Sequence, residues 1–325
     1  MKSISDEHLQ LLAEVAQLYY EQSFDQADIA TRKGVSRSSV SRLLTEAREL
    51  GVIEFRINFP IHRHTLLEDQ LKQHFDLDSV HVLNTELIVD SQVFNRLGRL
   101  AAMYVQPLIT SGTIIGVTWG RTVYEITSSI ARGQMEDVRI VQVIGASGHE
   151  NPLVDGVALV QNFAERLGAR HHYLHSPLMV ENSAVRDAIL SDPNIQRTLS
   201  LARQANILLT GIGTTNPDYS APLRAGYINH DDLIAISNAG AIGEFCGYHI
   251  DFNGELVDIP QNERIVGLTL DEIHNIPLVV GVGNGLYKAA CILGALRGKH
   301  INVLVTDDVT AREIIRIAGI PGLSL

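Results

Sequence analysis

The stretch QADIATRKGVSRSSVSRLL, residues 26–44, decides the fold of the N-terminal part of the chain. Ala30 is small where a first helix would touch a second one, and Gly34 can supply the positive φ of a tight turn between them. Ser36 can cap the second helix. The buried stripe of that helix would consist of four apolar residues, Val35, Val40, Leu43 and Leu44. This spacing predicts a helix-turn-helix, although the spacing alone also fits a small helical hairpin with a polar outer face.

The flanking sequence favours the helix-turn-helix. Upstream, six apolar residues recur at helical spacing and predict a third helix over the motif: Leu11, Leu12, Val15, Ala16, Leu18 and Tyr19. Downstream, Gly51 would end the second helix, and the alternation in residues 52–59, VIEFRINF, predicts a wing strand. These features together predict a winged helix-turn-helix.

The outer face of the second helix suits the major groove of DNA. Short hydroxyl donors and two guanidinium groups can read base edges, and we expect this role for Arg37, Ser38, Ser39, Ser41 and Arg42. Contacts to phosphates are expected from Gln26, Arg32 and Arg48. Residues 29–57 hold six Lys or Arg and three acids, a local charge of +3 in a chain with a net charge of −11. Operator DNA is therefore an expected partner.

Length and composition predict two domains, residues 1–59 and 60–325. A chain of 325 residues with 45% hydrophobic content can form a small DNA-binding module and one large α/β domain. From residue 58 onward 19 Lys and Arg stand against 28 Asp and Glu, so the large domain is not expected to lie along DNA. Only two cysteines occur, Cys246 and Cys291, which fits a cytoplasmic protein. Neither a signal peptide nor a membrane span is expected.

The histidines do not predict a metal site. His62 and His64 lie in the expected interdomain linker, next to Pro60. His171 and His172 would point to opposite faces of one strand. With His175 they are expected to be surface or hydrogen-bonded residues. We expect no metal and no cofactor.

The large domain alternates strand and helix signals, which predicts a doubly wound parallel sheet. Helices are predicted at residues 66–75, 93–105, 123–131 and 289–296, and a strand at 80–83. Further buried strands are predicted at 113–117, 139–144, 206–212, 233–236, 278–282 and 302–305. In such sheets ligands bind beyond the carboxyl ends of the strands.

Four glycine-rich loops follow predicted strands: GVTWGRT (116–122), GASG (145–148), GIGTT (211–215) and GVGNGLYK (281–288). Any one of them could be only a tight strand-to-helix turn. Four in one domain, beside Arg121, Thr122 and Lys288, predict a site for a small polar or phosphorylated ligand.

The segment at residues 11–57, the TWGRT turn, the stretch NAGAIGEFCGYHIDFNGELV and the tail GVGNGLYKAACILGALRGKHINVLVTDDVTA resemble the SorC family of bacterial sugar-responsive transcriptional regulators. The resemblance implies a C-terminal sugar-binding domain similar to the glucosamine-phosphate isomerase fold, in a homo-oligomer that is usually a tetramer. Together with the glycine loops it implies these effector contacts: Gly120, Arg121, Thr122, Gly145, Ala146, Ser147, Gly148, Gly213, Thr214, Glu244, Asp251 and Lys288.

The sequence departs from the family pattern at three places. Family members often have Gly-Gly where this chain has Gly145-Ala146, and Gly-Gly-x-x-Lys where it has Asn284-Gly285-Leu-Tyr-Lys288. Some members that take phosphosugars have a basic residue at the position of Ile144. The effector is thus expected to be a sugar, a polyol or a sugar phosphate.

The function predicted from these observations is control of a carbohydrate-utilisation operon by a regulator that is not an enzyme. An alternative is a sugar-phosphate isomerase-like enzyme with an accessory DNA-binding domain, because Glu244, His249 and Asp251 could supply an acid and a base. A third hypothesis is a constitutive DNA-binding protein whose large domain only oligomerises, but the glycine loops would then have no purpose.

Overall fold

The structure, a computed structural model, describes residues 6–53, 60–148 and 151–321. The chain divides into two compact units, Met1–Pro60 and Ile61–Leu325, called here the helix-turn-helix unit and the α/β unit. Among the described residues no helix is long and apolar enough to cross a membrane.

The helix-turn-helix unit contains helices α1 (Asp6–Tyr20), α2 (Gln26–Lys33) and α3 (Arg37–Glu49). Gly34 ends α2 with a φ of +66°, and the Ser36 hydroxyl caps α3 by accepting a bond of 3.1 Å from the Ser39 amide. Both roles were predicted from the sequence. The core of the unit is built from all three helices and includes Val15, Ile29 and Val40.

One part of the predicted stripe on α3 is wrong. Val35 precedes the helix and is 41% exposed, while Ala47, one turn beyond Leu44, is fully buried. The helical period therefore continues toward the C-terminus of α3 rather than back into the turn. Of the predicted wing strand, residues 54–59 lie outside the described residues; the Ile53 amide donates to the Ala47 carbonyl.

The α/β unit is built on a seven-stranded parallel sheet with the order β1-β9-β8-β5-β2-β3-β4. Its strands are β1 (Ser79–Leu83), β2 (Ile114–Val117), β3 (Arg139–Gln142), β4 (Arg170–His172), β5 (Ile207–Gly211), β8 (Leu278–Val282) and β9 (Val303–Asp307). An antiparallel hairpin of β6 (Gly243–Phe245) and β7 (Tyr248–Ile250) lies between β5 and β8 in the chain.

Helices cover both faces of the sheet, as the doubly wound prediction requires. One face packs against α5 (Asp90–Val105), α6 (Arg121–Ser129) and α7 (Gly156–Leu167). Helices packing on the other face include α4 (Thr65–Phe75), α9 (Pro193–Ala202), α11 (His230–Asn238), α12 (Leu270–His274), α13 (Ala289–Arg297) and α14 (Asp308–Ala318). Two shorter segments, α8 (Ser183–Leu190) and α10 (Ala221–Arg224), complete the helices of this unit. Successive strand residues point to opposite faces, so that Leu208 joins one core and Leu209 the other.

The strand predicted at residues 233–236 is wrong, because these residues belong to α11. Asn229 and Asp232 form a capping box at its start, which fixes a helix. Leu233 and Ile236, three residues apart, are buried, whereas Ile234 is 59% exposed. A run of four apolar residues fits either period, and here the cap decides for the helix.

The strand order reverses between β2 and β5. From β2 the chain builds outward through β3 to β4, and from β5 it builds the other way through β8 and β9. The loops that leave the carboxyl ends of β2 and β5 therefore diverge and open a crevice.

Candidate functional site

A cavity of about 530 Å³ occupies this switch point. The loop after β2 and the start of α6 form one wall, with residues 118–122. The end of β5 and the loop that follows it form another, with residues 210–213. The hairpin β6–β7 contributes Glu244, Cys246 and Gly247. The volume of the cavity lies in the range of binding sites for small molecules. We call it the switch-point cavity.

The N-terminus of α6 opens into this cavity. Gly120, with a φ of +113°, precedes the helix, and no side chain caps its first turn. The first backbone N–H groups of a helix have no acceptor within the helix and carry partial positive charge. Thr122 is buried in this turn, and the Arg121 guanidinium lies 4.4 Å from the centre of the Phe94 ring. The arrangement suits an anion.

Three basic side chains line the switch-point cavity: Arg121, Arg224 and Lys288. Arg224 ends α10, and Lys288 directly precedes α13. Arg121 and Arg224 are exposed, and Lys288 is half-buried. Burial lowers the pKa of the Lys288 ammonium, and the nearby Glu244 opposes that shift. A negatively charged ligand would stabilise the charge on this lysine.

Glu244 is a buried acid on the opposite wall. Its Oε2 atom accepts a bond of 2.9 Å from the Gly247 amide in the hairpin turn. A Cβ at Gly213 would lie 2.2 Å from the Glu244 Oε1 atom, so only glycine lets the loop after β5 approach this carboxyl group. Burial raises the pKa of Glu244, while the Gly247 amide and the Lys288 charge act in the other direction. The carboxyl group can therefore hydrogen-bond ligand hydroxyls.

Aromatic side chains form the remaining wall. The rings of Tyr219 and Tyr287 stack with centres 3.8 Å apart and planes 7° apart. The Trp119 Nε1 atom is buried and has no hydrogen-bond partner among the described residues. Since Trp119 lines the cavity, its N–H is a donor that a ligand could satisfy.

The structure brings together half of the predicted effector residues. Those that line the switch-point cavity are Gly120, Arg121, Thr122, Gly213, Glu244 and Lys288. Those outside its lining are Gly145, Ala146, Ser147, Gly148, Thr214 and Asp251.

Asp251 and Thr214 hold backbone in place instead. The Asp251 Oδ1 atom accepts bonds from the Asn253 and Glu255 amides and closes the turn after β7. The Thr214 hydroxyl donates to the Tyr287 carbonyl over 3.1 Å and accepts from the Asn216 amide. Both side chains are thus engaged by backbone groups.

The GASG loop joins neighbouring segments of the chain. The Ala146 amide donates to the Ser176 carbonyl, and the Ala146 carbonyl accepts from the Leu178 amide. Ser147 donates twice to one oxygen of Asp155, through its amide and its hydroxyl. Only the preceding residue, Ile144, lines the switch-point cavity.

Sequence reasoning missed several lining residues, among them Phe94, Trp119, Tyr219, Arg224 and Tyr287. Trp119 is the chain's one tryptophan and stands within the TWGRT turn, so its type and place were a usable signal. Tyr219 and Arg224 lie outside the four glycine-rich loops, and their position depends on the tertiary fold.

The acid–base set of the enzyme hypothesis does not assemble. Glu244 and His249 face each other in the hairpin register, but His249 is absent from the lining of the switch-point cavity. Its ring is almost fully buried, and burial lowers its pKa to about 4. Among the described residues no group of three His, Cys, Asp or Glu side chains is placed to hold a metal ion.

The predicted DNA-reading residues lie on or beside the outer face of α3. Arg37, Ser38, Ser41 and Arg42 are exposed, and Ser39 is half-buried beneath the cap. The Arg42 Nε atom contacts the Ser38 carbonyl at 3.4 Å. Arg48 is exposed on the last turn of α3.

Three further side chains shape the surface near α2. Gln26 is half-buried at its first position, and the Arg32 guanidinium lies 3.8 Å from the centre of the Phe24 ring. Lys33 hydrogen-bonds Glu14, and this bond lowers the pKa of that exposed carboxyl group. The positive charge of this unit is therefore most accessible along α3.

Comparisons with known proteins show the family to which the chain is similar. Residues 60–316 match a family model described as "Putative sugar-binding domain". The sorbitol operon regulator of Klebsiella pneumoniae is 32% identical over 96% of this chain and 99% of its own length. The deoxyribonucleoside regulator of Bacillus subtilis is 31% identical over 95% of this chain and 98% of its own length.

A crystal structure of the full-length Klebsiella regulator, SorC, superposes with a TM-score of 0.71 at 30% identity, covering 95% of this chain and 99% of that one. The curated relatives are regulators, so this chain is a transcriptional regulator and not an enzyme. The chain therefore belongs to the SorC family of transcriptional regulators, with a sugar-binding domain as its C-terminal part.

Proposed function

We propose that the chain controls a carbohydrate operon by binding a sugar phosphate in the switch-point cavity. The observation that carries this proposal is the convergence of Arg121, Arg224, Lys288 and the uncapped N-terminus of α6 on one cavity that also holds a buried acid. Arg224 supplies a positive charge that the sequence did not reveal. It offsets the missing basic residue at Ile144, which also lines the cavity.

Each wall has a distinct role in this proposal. The amides of the first turn of α6, with Arg121, Arg224 and Lys288, bind the phosphate group through charge-assisted hydrogen bonds. Glu244 and the Trp119 indole N–H hold the sugar hydroxyls, one as an acceptor and the other as a donor. The stacked Tyr219 and Tyr287 rings cover the apolar face of the sugar.

The DNA contacts belong to residues 1–59, and the effector contacts to residues 60–325. Arg37, Ser38, Ser39, Ser41 and Arg42 read base edges in the major groove. The phosphate contacts come from Gln26, Arg32 and Arg48.

Effector and operator are linked through a homo-oligomer, which we propose to be a tetramer. A single helix-turn-helix contacts a short site, and pairs of them read two related half-sites when an oligomer fixes their spacing. An effector that binds one arrangement of the oligomer more tightly shifts the operator affinity by that difference. Light scattering on the full chain at micromolar concentration should give an oligomer, and a monomer would contradict this part.

The test is a titration of the full chain with matched pairs of free and phosphorylated pentoses, hexoses and polyols. We expect at least one phosphate ester to raise the thermal midpoint, without turnover, and to change affinity for a duplex selected by the protein from random DNA. The unphosphorylated counterpart should bind at least about tenfold more weakly, because it lacks the charge-assisted bonds.

Arg224→Gln should lose most of that phosphate preference. The matched control is Arg186→Gln, because Arg186 pairs with Asp187 and does not line the switch-point cavity. Equal affinity for both members of every binding pair would overturn the phosphate assignment. Turnover of a sugar phosphate would overturn the sensor assignment.

A further inference from the structure

A second groove of about 940 Å³ follows β4, the outermost strand of the sheet. We call it the edge groove and define it by Arg139 on β3, Arg197 on α9, and four residues in and after β4: His171, His172, Tyr173 and His175. It shares no lining residue with the switch-point cavity. Strand β3 separates β4 from β2, where the switch-point cavity lies.

The edge groove carries unbalanced positive charge. Neither Arg139 nor Arg197 forms an ion pair with any residue that the structure describes. The one acid in its lining, Asp192, already caps α9 by accepting from the Asn194 amide at 2.7 Å and the Ile195 amide at 3.3 Å. Two guanidinium groups and one carboxylate line the groove, so its lining keeps a net positive charge.

Histidine and tyrosine side chains add hydrogen-bonding groups. His171, Tyr173 and His175 alternate along the chain, with ring centres 4.8 Å and 5.8 Å apart in sequence order. The His172 Nε2 atom is buried and has no partner among the described residues. A buried polar atom of this kind is usually satisfied by a ligand or water.

We propose that the edge groove is a second ligand site, for a small molecule that carries more than one phosphate group. Arg139 and Arg197 bind the phosphate oxygens, and the imidazoles complete the hydrogen bonds. The size of the groove admits such a molecule. Since the two sites share no residue, both can be occupied in one chain.

The test is equilibrium dialysis of the full chain against radiolabelled pyrophosphate. Wild type should bind two per chain, and Arg139→Gln/Arg197→Gln should bind one. Arg224→Gln/Lys288→Met, which alters only the switch-point cavity, should keep the edge site. Arg316→Gln is the control and should bind two, because Arg316 pairs with Glu313 on α14, outside both sites.

The failure of this proposal is distinct from failure of the phosphate assignment at the switch point. If the switch-point cavity takes no phosphate, wild type binds one pyrophosphate and the Arg139→Gln/Arg197→Gln variant binds none. If that variant binds as much as wild type, the edge site is overturned. Arg197→Glu, at an exposed position of α9, should give the same loss with an unchanged thermal midpoint, and undiminished binding there would also overturn it.

Discussion

The helix-turn-helix unit and the switch-point cavity present basic side chains in contrasting ways. On α3, Arg37, Arg42 and Arg48 stand exposed along a single helix whose other face is buried. In the cavity, Arg121, Arg224 and Lys288 come from three widely separated segments and surround a buried acid. The first arrangement suits a polyanion and is screened by salt, whereas the second has the geometry for one small anion, as we propose. Local sequence specifies the row of arginines on α3, and the order of the strands in the sheet specifies the basic residues of the cavity.

The largest effect is expected from Lys288→Met compared with Asp251→Asn. Both residues were assigned to the effector, but only Lys288 lines the switch-point cavity. Removing its charge should weaken binding of the phosphorylated effector about 100-fold, at the upper end of the range for a hydrogen bond to a charged group. Asp251→Asn should change effector affinity less than about twofold, because the Asp251 oxygen contacts only the turn after β7.

Calorimetric titration of both variants with the same phosphate ester measures this difference. Operator affinity without effector should stay at the wild-type value in each. A large loss in Asp251→Asn at unchanged stability would return this residue to the effector site.

The next effect concerns DNA and separates base reading from phosphate contact. Arg42→Ala should weaken the free energy of binding to the selected duplex by roughly 1–3 kcal/mol and reduce discrimination between DNA sequences. Arg32→Ala should weaken all duplexes alike and lower the salt dependence by about one unit of slope, because Arg32 lies on α2 and not on the outer face of α3. Fluorescence anisotropy on selected and random duplexes at several salt concentrations distinguishes them. Equal losses on both duplexes for Arg42→Ala would exclude it from base reading.

How much the sequence could predict differs between these two regions for a physical reason. The turn glycine and the Ser36 cap are relations among near neighbours, so reading the chain sufficed for them, whereas the buried stripe of α3 was placed too far toward the turn. The carboxyl ends of β2 and β5 could be predicted as the place of the ligand site, because glycine-rich loops follow both strands. Arg224, Tyr219 and Phe94 reach the same cavity only through the packing of remote segments, which no local pattern encodes.

The other differences follow the same logic. Asp251 and the GASG loop have the composition of a ligand site, but the Asp251 oxygen accepts from amides of its own turn, and Ala146 pairs with the backbone of Ser176 and Leu178. Their assignment to the effector stays a prediction. The strand predicted at residues 233–236 failed because four apolar residues cannot distinguish the two periods without the cap at Asn229.

A smaller effect on stability tests whether the GASG loop is structural. At Gly145 an added Cβ would lie 2.2 Å from the Pro177 carbonyl oxygen, whereas at Gly148 no atom lies within 4 Å. Gly145→Ala should lower the free energy of unfolding by about 1–3 kcal/mol through overpacking. Gly148→Ala should cost only the strain of its φ of +66°, about 1 kcal/mol. Trp119 fluorescence follows this transition, because the one tryptophan lies in the α/β unit. Equal costs would contradict the packing role of Gly145.

The smallest effect concerns pH and belongs to the α/β unit. Burial lowers the pKa of both His81 and His249 to about 4, below the ordinary value of 6.5. The folded state thus binds fewer protons than the unfolded state, so stability is lost as pH falls from 6.5 toward 4. Each histidine should lower the free energy of unfolding by about 1 kcal/mol as the pH falls from 6.5 to 5.5. Burial raises the pKa of Glu244 and Asp307, and these acids act in the opposite sense.

A comparison of wild type with His249→Gln isolates one histidine from these opposing groups. Glutamine does not titrate, so the free energy of unfolding of the variant should fall by about 1 kcal/mol less than that of wild type over the same pH interval. Denaturant unfolding followed by Trp119 fluorescence measures this difference. His230→Gln is the matched control, because His230 is exposed at the start of α11 and lies outside the hairpin. If His249→Gln keeps the wild-type slope, His249 is not the buried neutral imidazole that the hairpin requires. The pH sensitivity would then have to come from His81 or from groups outside this hairpin.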